Sequence, residues 1–385
     1  MTRLERDEEA AVWENWAAVN SSDHILEGTL GDVNFNQGAG MRVVELRSDT
    51  KTQPSAAMRE AMSRAEVGDD VSGEDPTVNR LEETAADLLG KEAGLFVASG
   101  TMGNLVSVLT HCGRGGEIIV GEHAHIYWAE VGGAAALGGV SYHPVPNQAD
   151  GSMALEDVAA AIRPSDIHYA VTRLICLESS HNRMGGRVLS LDYMEQVAAL
   201  AAEHGLPVHL DGARIFNAAA YLDVPPARVA AAADSVQFCL SKGLGAPVGS
   251  VVVGPREFIG RARKVRKMLG GGMRQAGVIA AAGLYALEQN VARIPQDHAN
   301  ARVLAEGLAR ISGLVVDPAS VQTNIVNVSL AGGGMSGWEF EAKMAARGVL
   351  FGALDERSVR MVTHLQVSES DILWATEQIA SVTAA

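Results

Sequence analysis

The sequence predicts an α/β fold: a large domain with a mostly parallel sheet flanked by helices, followed by a smaller C-terminal α+β domain. Short, wholly apolar runs alternate with helical patterns from about residue 45 onward, and strands that are apolar throughout belong to sheets covered on both faces. The length of 385 residues accommodates such a layered domain plus a second one. Hydrophobic residues at 47% against 20% charged give a globular composition, so a packed core is expected.

Residues 1–44 read as an appendage. They open with mixed charges, carry Trp13 and Trp16, and end in a glycine-rich stretch; Leu4, Ala11 and Trp16 fit one helix face, but the pattern is too short to separate a docked helix from an arm. In the large domain, residues 45–290, helices are predicted over 55–65, 77–89, 104–111, 191–204 and 257–269. Strands are predicted over 95–98, 117–120, 168–171, 174–177, 207–210, 236–240 and 250–253. An alanine-rich helical pattern runs from Gln275 towards Ile311, with a break at Pro295. The C-terminal domain, residues 291–385, carries strands over 313–316, 324–330 and 358–362 and helices over 337–347 and 370–382.

Lys plus Arg total 31 against 46 Asp plus Glu, a formal net charge of -15, which argues against nucleic acid or an anionic membrane as partner. Small anionic ligands must then be caught locally, by particular arginines or helix ends. Cys112, Cys176 and Cys239 lack metal-ligand spacing and are too few for a disulfide framework, so no metal is expected and a reducing cytoplasm fits best. No stretch has the form of a leader peptide or a bilayer-spanning run.

The chemistry centres on Lys242, where an apolar run ends in Ser241-Lys242 and passes into a turn rich in glycine. Taken alone, it suits a lysine snorkelling from a strand end far better than a Schiff-base lysine, and the rest of the chain must justify the second reading. Asp211 opens Asp211-Gly-Ala-Arg214 at the end of the preceding strand, where ligands bind in open α/β sheets; alone, it also suits a helix cap with Arg214 as partner. Together, an Asp and a Lys at the ends of successive strands suit pyridoxal 5'-phosphate: the carboxylate keeps the pyridine nitrogen protonated and the lysine holds the aldehyde as an imine. Ser99-Gly-Thr-Met-Gly-Asn104 follows a strand and opens a helix, so its amides and hydroxyls could take the phosphate or simply form a capped turn. His125 could stack on a planar ring and His181 could act as a base; for each, a hydrogen-bonded structural role stands even with the functional one. The basic run 261–267 reads as a solvated helix face, whereas three glycines before Arg274 suggest close backbone approach and an anion contact.

Taken together, these stretches resemble the low-specificity L-threonine aldolases, of the fold type I (aspartate-aminotransferase-like) class of pyridoxal-phosphate enzymes. The resemblance covers about residues 45–385 and rests on motifs in one order: Leu46-Arg-Ser-Asp-Thr50, Val67-Gly-Asp-Asp-Val71 with Gly73-Glu-Asp-Pro-Thr77, Ser99 to Asn104, His181-Asn182 with Gly185-Gly-Arg-Val188, His209 to Asn217, Cys239 to Ser250, Gly270 to Gln275, and Arg360-Met-Val-Thr-His-Leu365. It implies that Lys242 carries the cofactor, Asp211 pairs with the ring nitrogen, His125 stacks on the ring, and Gly100 and Thr101 bind phosphate. It further implies that Ser48, Arg214 and Arg360 hold the substrate carboxylate and that His181 lies near the β-hydroxyl. Arg274 would reach a neighbouring subunit's cofactor in a homotetramer whose sites lie at a dimer interface. The implied reaction is retro-aldol cleavage of L-threonine or L-allo-threonine to glycine and an aldehyde. Its rivals are β-elimination or transamination on the same scaffold and a regulatory protein that holds the cofactor without turnover; a dehydrogenase is disfavoured because the dinucleotide fingerprint is missing. Where the family commonly has tyrosine, this chain has Ser72, which bears on pocket shape and substrate preference rather than on the cofactor residues.

Overall fold

The computed structural model describes residues 42–332 and 334–383, so the appendage expected over residues 1–44 lies outside the described residues but for its last three. The first strand, β1 (Val44–Glu45), stands apart from the main sheet. That sheet contains β2 (Ala93–Val97), β3 (Gly116–Gly121), β4 (Ser141–Val145), β5 (Val171–Glu178), β6 (Val208–Asp211), β7 (Ser235–Cys239) and β8 (Ser250–Gly254), in the order β2-β8-β7-β6-β5-β3-β4. β8 runs antiparallel to both of its neighbours, β2 and β7. All other pairs are parallel, so the remaining strands send their carboxyl ends to one edge. Every residue of β3, β7 and β8 is buried, as an apolar sheet covered on both faces requires.

Several elements differ from their sequence pattern. The run 168–171 is a turn up to Val171, where β5 begins; the Asp166 carboxylate accepts from the His168 amide (2.9 Å) and lies 2.6 Å from its Nδ1, pinning the chain in that turn. β4 contains Pro144, tolerated because the strand lies on the sheet edge. The helix expected from Asn104 starts at Gly100, because the Ser99 hydroxyl caps it by accepting from the Met102 amide. The long alanine-rich pattern resolves into a helix (Gly277–Tyr285), a π turn (Ala286–Asn290), a short 3-10 turn (Val291–Arg293) and a second helix (Ile294–Leu308) with Pro295 in its first turn, where no amide is needed.

The basic run is not a solvated face throughout. Arg266 is 2% exposed, donating from Nη1 to the Phe96 carbonyl (2.7 Å) and from Nη2 to Asp70 (2.8 Å), while Arg263 pairs with Glu82. The reason is helical spacing: in the helix Arg256–Met268, residue 266 continues the buried face of Phe258 and Ala262.

One core, made of three clusters of buried residues of which the largest runs from Met58 to Ile294, flanks the main sheet. A second surrounds β9 (Leu314–Val315), β10 (Ile325–Leu330), β11 (Val349–Leu350), β12 (Gly352–Asp355) and β13 (Ser358–Val362). Val44 and Leu46 pack in this second core, and β1 pairs with β11. The chain then leaves it towards the carboxyl edge of the main sheet, carrying Ser48 and Asp49 there. Among the described residues, no helix is long and apolar enough to cross a membrane.

Candidate active site

Asp211 ends β6 and faces Glu178 across the register with β5. It is 2% exposed, and its Oδ1 accepts from the Ala213 amide (3.1 Å) while Oδ2 accepts from Asn104 Nδ2 (2.8 Å). Asn104 projects from the helix Gly100–His111, and the same Nδ2 donates to Glu130 Oε1 (2.8 Å). Glu130 in turn receives His125 Nδ1 at 2.8 Å, and the His125 amide donates to Glu178 Oε2 (2.6 Å). His125 and Asp211 thus belong to one buried network. The bond from Glu130 raises the His125 imidazole above its ordinary value, and burial raises the Glu130 carboxyl.

The arginines are organised by a residue outside the predicted set. Asp49 is wholly buried and receives Arg214 in a fork, Nε to Oδ2 at 2.7 Å and Nη2 to Oδ1 at 2.8 Å. Burial alone would raise the Asp49 carboxyl, but Arg214, helped by Lys242 and Asn324, holds it well below the usual carboxylate range. The remaining Arg214 nitrogen, Nη1, and Arg360 Nη1 each lie 3.2 Å from Asn182 Oδ1. Burial lowers the Arg360 guanidinium, and the charge of Arg214 adds to the effect. Two cations converging on one amide oxygen make a place where a carboxylate is welcome. Ser48 caps the turn Asp49–Lys51, its hydroxyl accepting from the Thr50 amide (3.2 Å) and hydroxyl (2.9 Å).

Lys242 follows β7, half-buried, and its carbonyl accepts from Thr52 Oγ1 (3.0 Å) and the Gly245 amide (2.8 Å). Gly245 sits at φ 78, and a Cβ there would come within 2.6 Å of Leu365 Cδ2, so the turn behind the lysine requires glycine. Gly100 and Thr101 open their helix over the ends of β7 and β8; a Cβ on Gly100 would lie 2.8 Å from Cys239 Sγ. His181 is 1% exposed, its Nδ1 is 3.7 Å from Glu178 Oε1, and neither ring nitrogen has a hydrogen-bond partner. Arg274 is exposed, with Nη1 on Asp69 Oδ2 at 2.8 Å, and Ser72 is exposed in the turn Asp70–Ser72.

These groups fit pyridoxal phosphate: a buried carboxyl group, a half-buried primary amine, a helix terminus for phosphate, and a buried histidine with two unsatisfied nitrogens. A surface cleft of about 590 Å³ lined by Lys91, Val208, Asp234 and Pro255 lies instead at the amino ends of β6 and β7 and touches none of these groups.

Asn104, Glu130, Glu178, Asp49 and Asn182 were not among the candidate residues. Asp49, Asn104 and Asn182 stand inside matched motifs, which was their one signal; Glu130 follows His125 by five residues with no motif of its own.

Comparison with known proteins gives a match to the beta-eliminating lyase family over residues 45–331. A relative from Arabidopsis thaliana described as a probable low-specificity L-threonine aldolase 2 is 52% identical over 86% of this chain and 95% of its own length. The low specificity L-threonine aldolase of Escherichia coli K12 is 48% identical over 89% of this chain and 98% of its own. A solved threonine aldolase from Leishmania major has the same fold, with a TM-score of 0.72 at 19% identity, covering 88% of this chain and 98% of that one.

Proposed function

We propose that this chain, which belongs to the beta-eliminating lyase family, is a pyridoxal-phosphate-dependent aldehyde-lyase that cleaves L-threonine or L-allo-threonine to glycine and acetaldehyde. The carrying observation is the buried Asp211 carboxylate, held by Asn104 one strand from the Lys242 loop. The relatives named as L-threonine aldolases support the substrate class.

When bound, pyridoxal phosphate supplies an aldehyde for the substrate amine and a ring that accepts the electron pair of the breaking Cα–Cβ bond. In this reading Lys242 tethers the aldehyde, Asp211 keeps the ring nitrogen protonated, and His125, oriented by Glu130, covers the ring. Gly100 and Thr101 hold the phosphate at the helix terminus, and Arg214 flanks the cofactor. Arg360 binds the substrate carboxylate together with Ser48 and with Arg214, which Asp49 fixes from behind. Clamping the carboxylate selects which bond on Cα lies across the ring, and that bond is the one that breaks. His181, directly or through water, takes the β-hydroxyl proton; its unpartnered nitrogens leave it available for that exchange.

The same reading includes a cytoplasmic homotetramer in which Arg274 reaches a neighbouring subunit's cofactor. The exposure of its side chain beyond Asp69 supports it. The deciding experiment mixes the enzyme with L-threonine, L-allo-threonine or phenylserine and follows aldehyde release, coupled to an alcohol dehydrogenase for the acetaldehyde formed from the first two. Steady release is expected; an oxo acid without aldehyde would instead indicate elimination or transamination.

A further inference from the structure

Behind Asp211 the network continues away from the cofactor side. Asn104 Oδ1 lies 3.1 Å from His209 Nε2, His209 Nδ1 lies 2.9 Å from Ser235 Oγ, and Ser235 Oγ lies 2.8 Å from His111 Nε2. His111 closes the far end of the same helix that Gly100 opens, stacked on Phe258 with ring centroids 4.5 Å apart.

The direction of every bond in this chain follows from one fact. The Asn104 nitrogen donates to both the Glu130 and the Asp211 carboxyl oxygens, which leaves its own oxygen towards His209. His209 must then carry its proton on Nε2 and accept at Nδ1. The Ser235 hydroxyl must donate to that Nδ1 and accept from a proton on His111 Nε2. Burial lowers the His209 imidazole to about 4 and the His111 imidazole to about 3, so both rings are neutral at neutral pH and each has a single N–H to place. With His209 wholly buried, a reversal at any link would leave two donors or two acceptors face to face.

We propose that His111, Ser235 and His209 form a directional hydrogen-bond relay that fixes the Asn104 amide and so keeps the Asp211 carboxyl group aimed at the cofactor's ring nitrogen. They are positioning residues, acting through Asn104. The inference rests on the reading of Asp211 as the partner of that nitrogen.

The test compares Ser235→Ala, His111→Phe and His111→Gln with wild-type holoenzyme. S235A removes the central hydroxyl; H111F keeps the stacking on Phe258 but deletes the N–H; H111Q can present an amide N–H in its place. S235A and H111F are expected to weaken cofactor affinity and kcat by about tenfold, the scale of one lost hydrogen bond in a charged network, with KM changed less than twofold. Their visible cofactor band should also shift its pH dependence, and H111Q should restore the wild-type behaviour. Nitrogen NMR of labelled histidine should find His209 neutral with its proton on Nε2. Should S235A fail to fold, the H111F and H111Q pair carries the test alone. A His209 proton on Nδ1, or wild-type affinity and spectrum in both S235A and H111F while Asp211→Asn alters them, would overturn the relay. An unaltered D211N would instead overturn the Asp211 reading beneath it, and the relay with it.

Discussion

Asp49→Asn is the most demanding perturbation, because it changes one atom in a buried pair without changing volume. Asp49 is fully buried and Arg214 is 6% exposed, joined through two nitrogens at 2.7 and 2.8 Å. An asparagine can accept only one of those bonds and leaves the guanidinium charge uncompensated away from water. Removing one partner of a buried ion pair costs about 3–5 kcal/mol, and that range is expected here. Equilibrium urea unfolding followed by tryptophan fluorescence measures it. Its pH dependence has a definite sign. The Asp49 carboxyl is lower folded than unfolded, so its contribution is complete above the unfolded value of about 3.9 and is lost as pH falls towards the folded one. The gap between wild type and variant should therefore be constant from about pH 6 to 8 and shrink below about pH 4. A loss under about 1 kcal/mol, typical of an exposed pair, or a gap that persists undiminished into acid, would falsify the argument.

Other outcomes follow from the same geometry. Lys242→Ala should abolish both the visible absorbance of bound cofactor and aldehyde release; a variant that keeps both refutes the tether. Asp211→Ala should still bind cofactor, but with kcat lower by about a hundredfold or more, and near-normal turnover would show the electron-sink role to be misplaced. His181→Asn should lower kcat by about a hundredfold while leaving the cofactor spectrum unchanged; a spectrum that moves with it would point to a structural role. Burial pushes the Cys112 thiol up to about 12 and holds Cys176 well above its ordinary value, so neither should react with iodoacetamide near neutral pH in the native state. Rapid labelling of either, read by mass spectrometry, would contradict that.

Hydrophobic periodicity and glycine turns are local properties of a chain, and what depends on them was legible in the sequence. The alternation of apolar runs with helices specified a mostly parallel sheet, and only β8 breaks the parallel rule. That Asp211 and Lys242 end successive strands was legible for the same reason, and strand ends on one edge are brought together by the architecture itself. Partners chosen between distant loops were not legible. Asp49, 165 residues away, fixes the Arg214 fork from behind, and only the path of the chain from the second core to the sheet edge brings the two together. Glu130 and Asn104 escaped notice because a carboxylate and an amide have no pattern until a helix and a loop set them within 2.8 Å of each other. Arg266, charged in composition, is buried because the face it shares with Phe258 and Ala262 packs inward against Asp70 and Phe96. Composition and spacing thus determined the class of chemistry, whereas the tertiary structure decided which charges neutralise one another and which remain for the substrate, since a buried charge is stable only beside the partner that the fold brings to it.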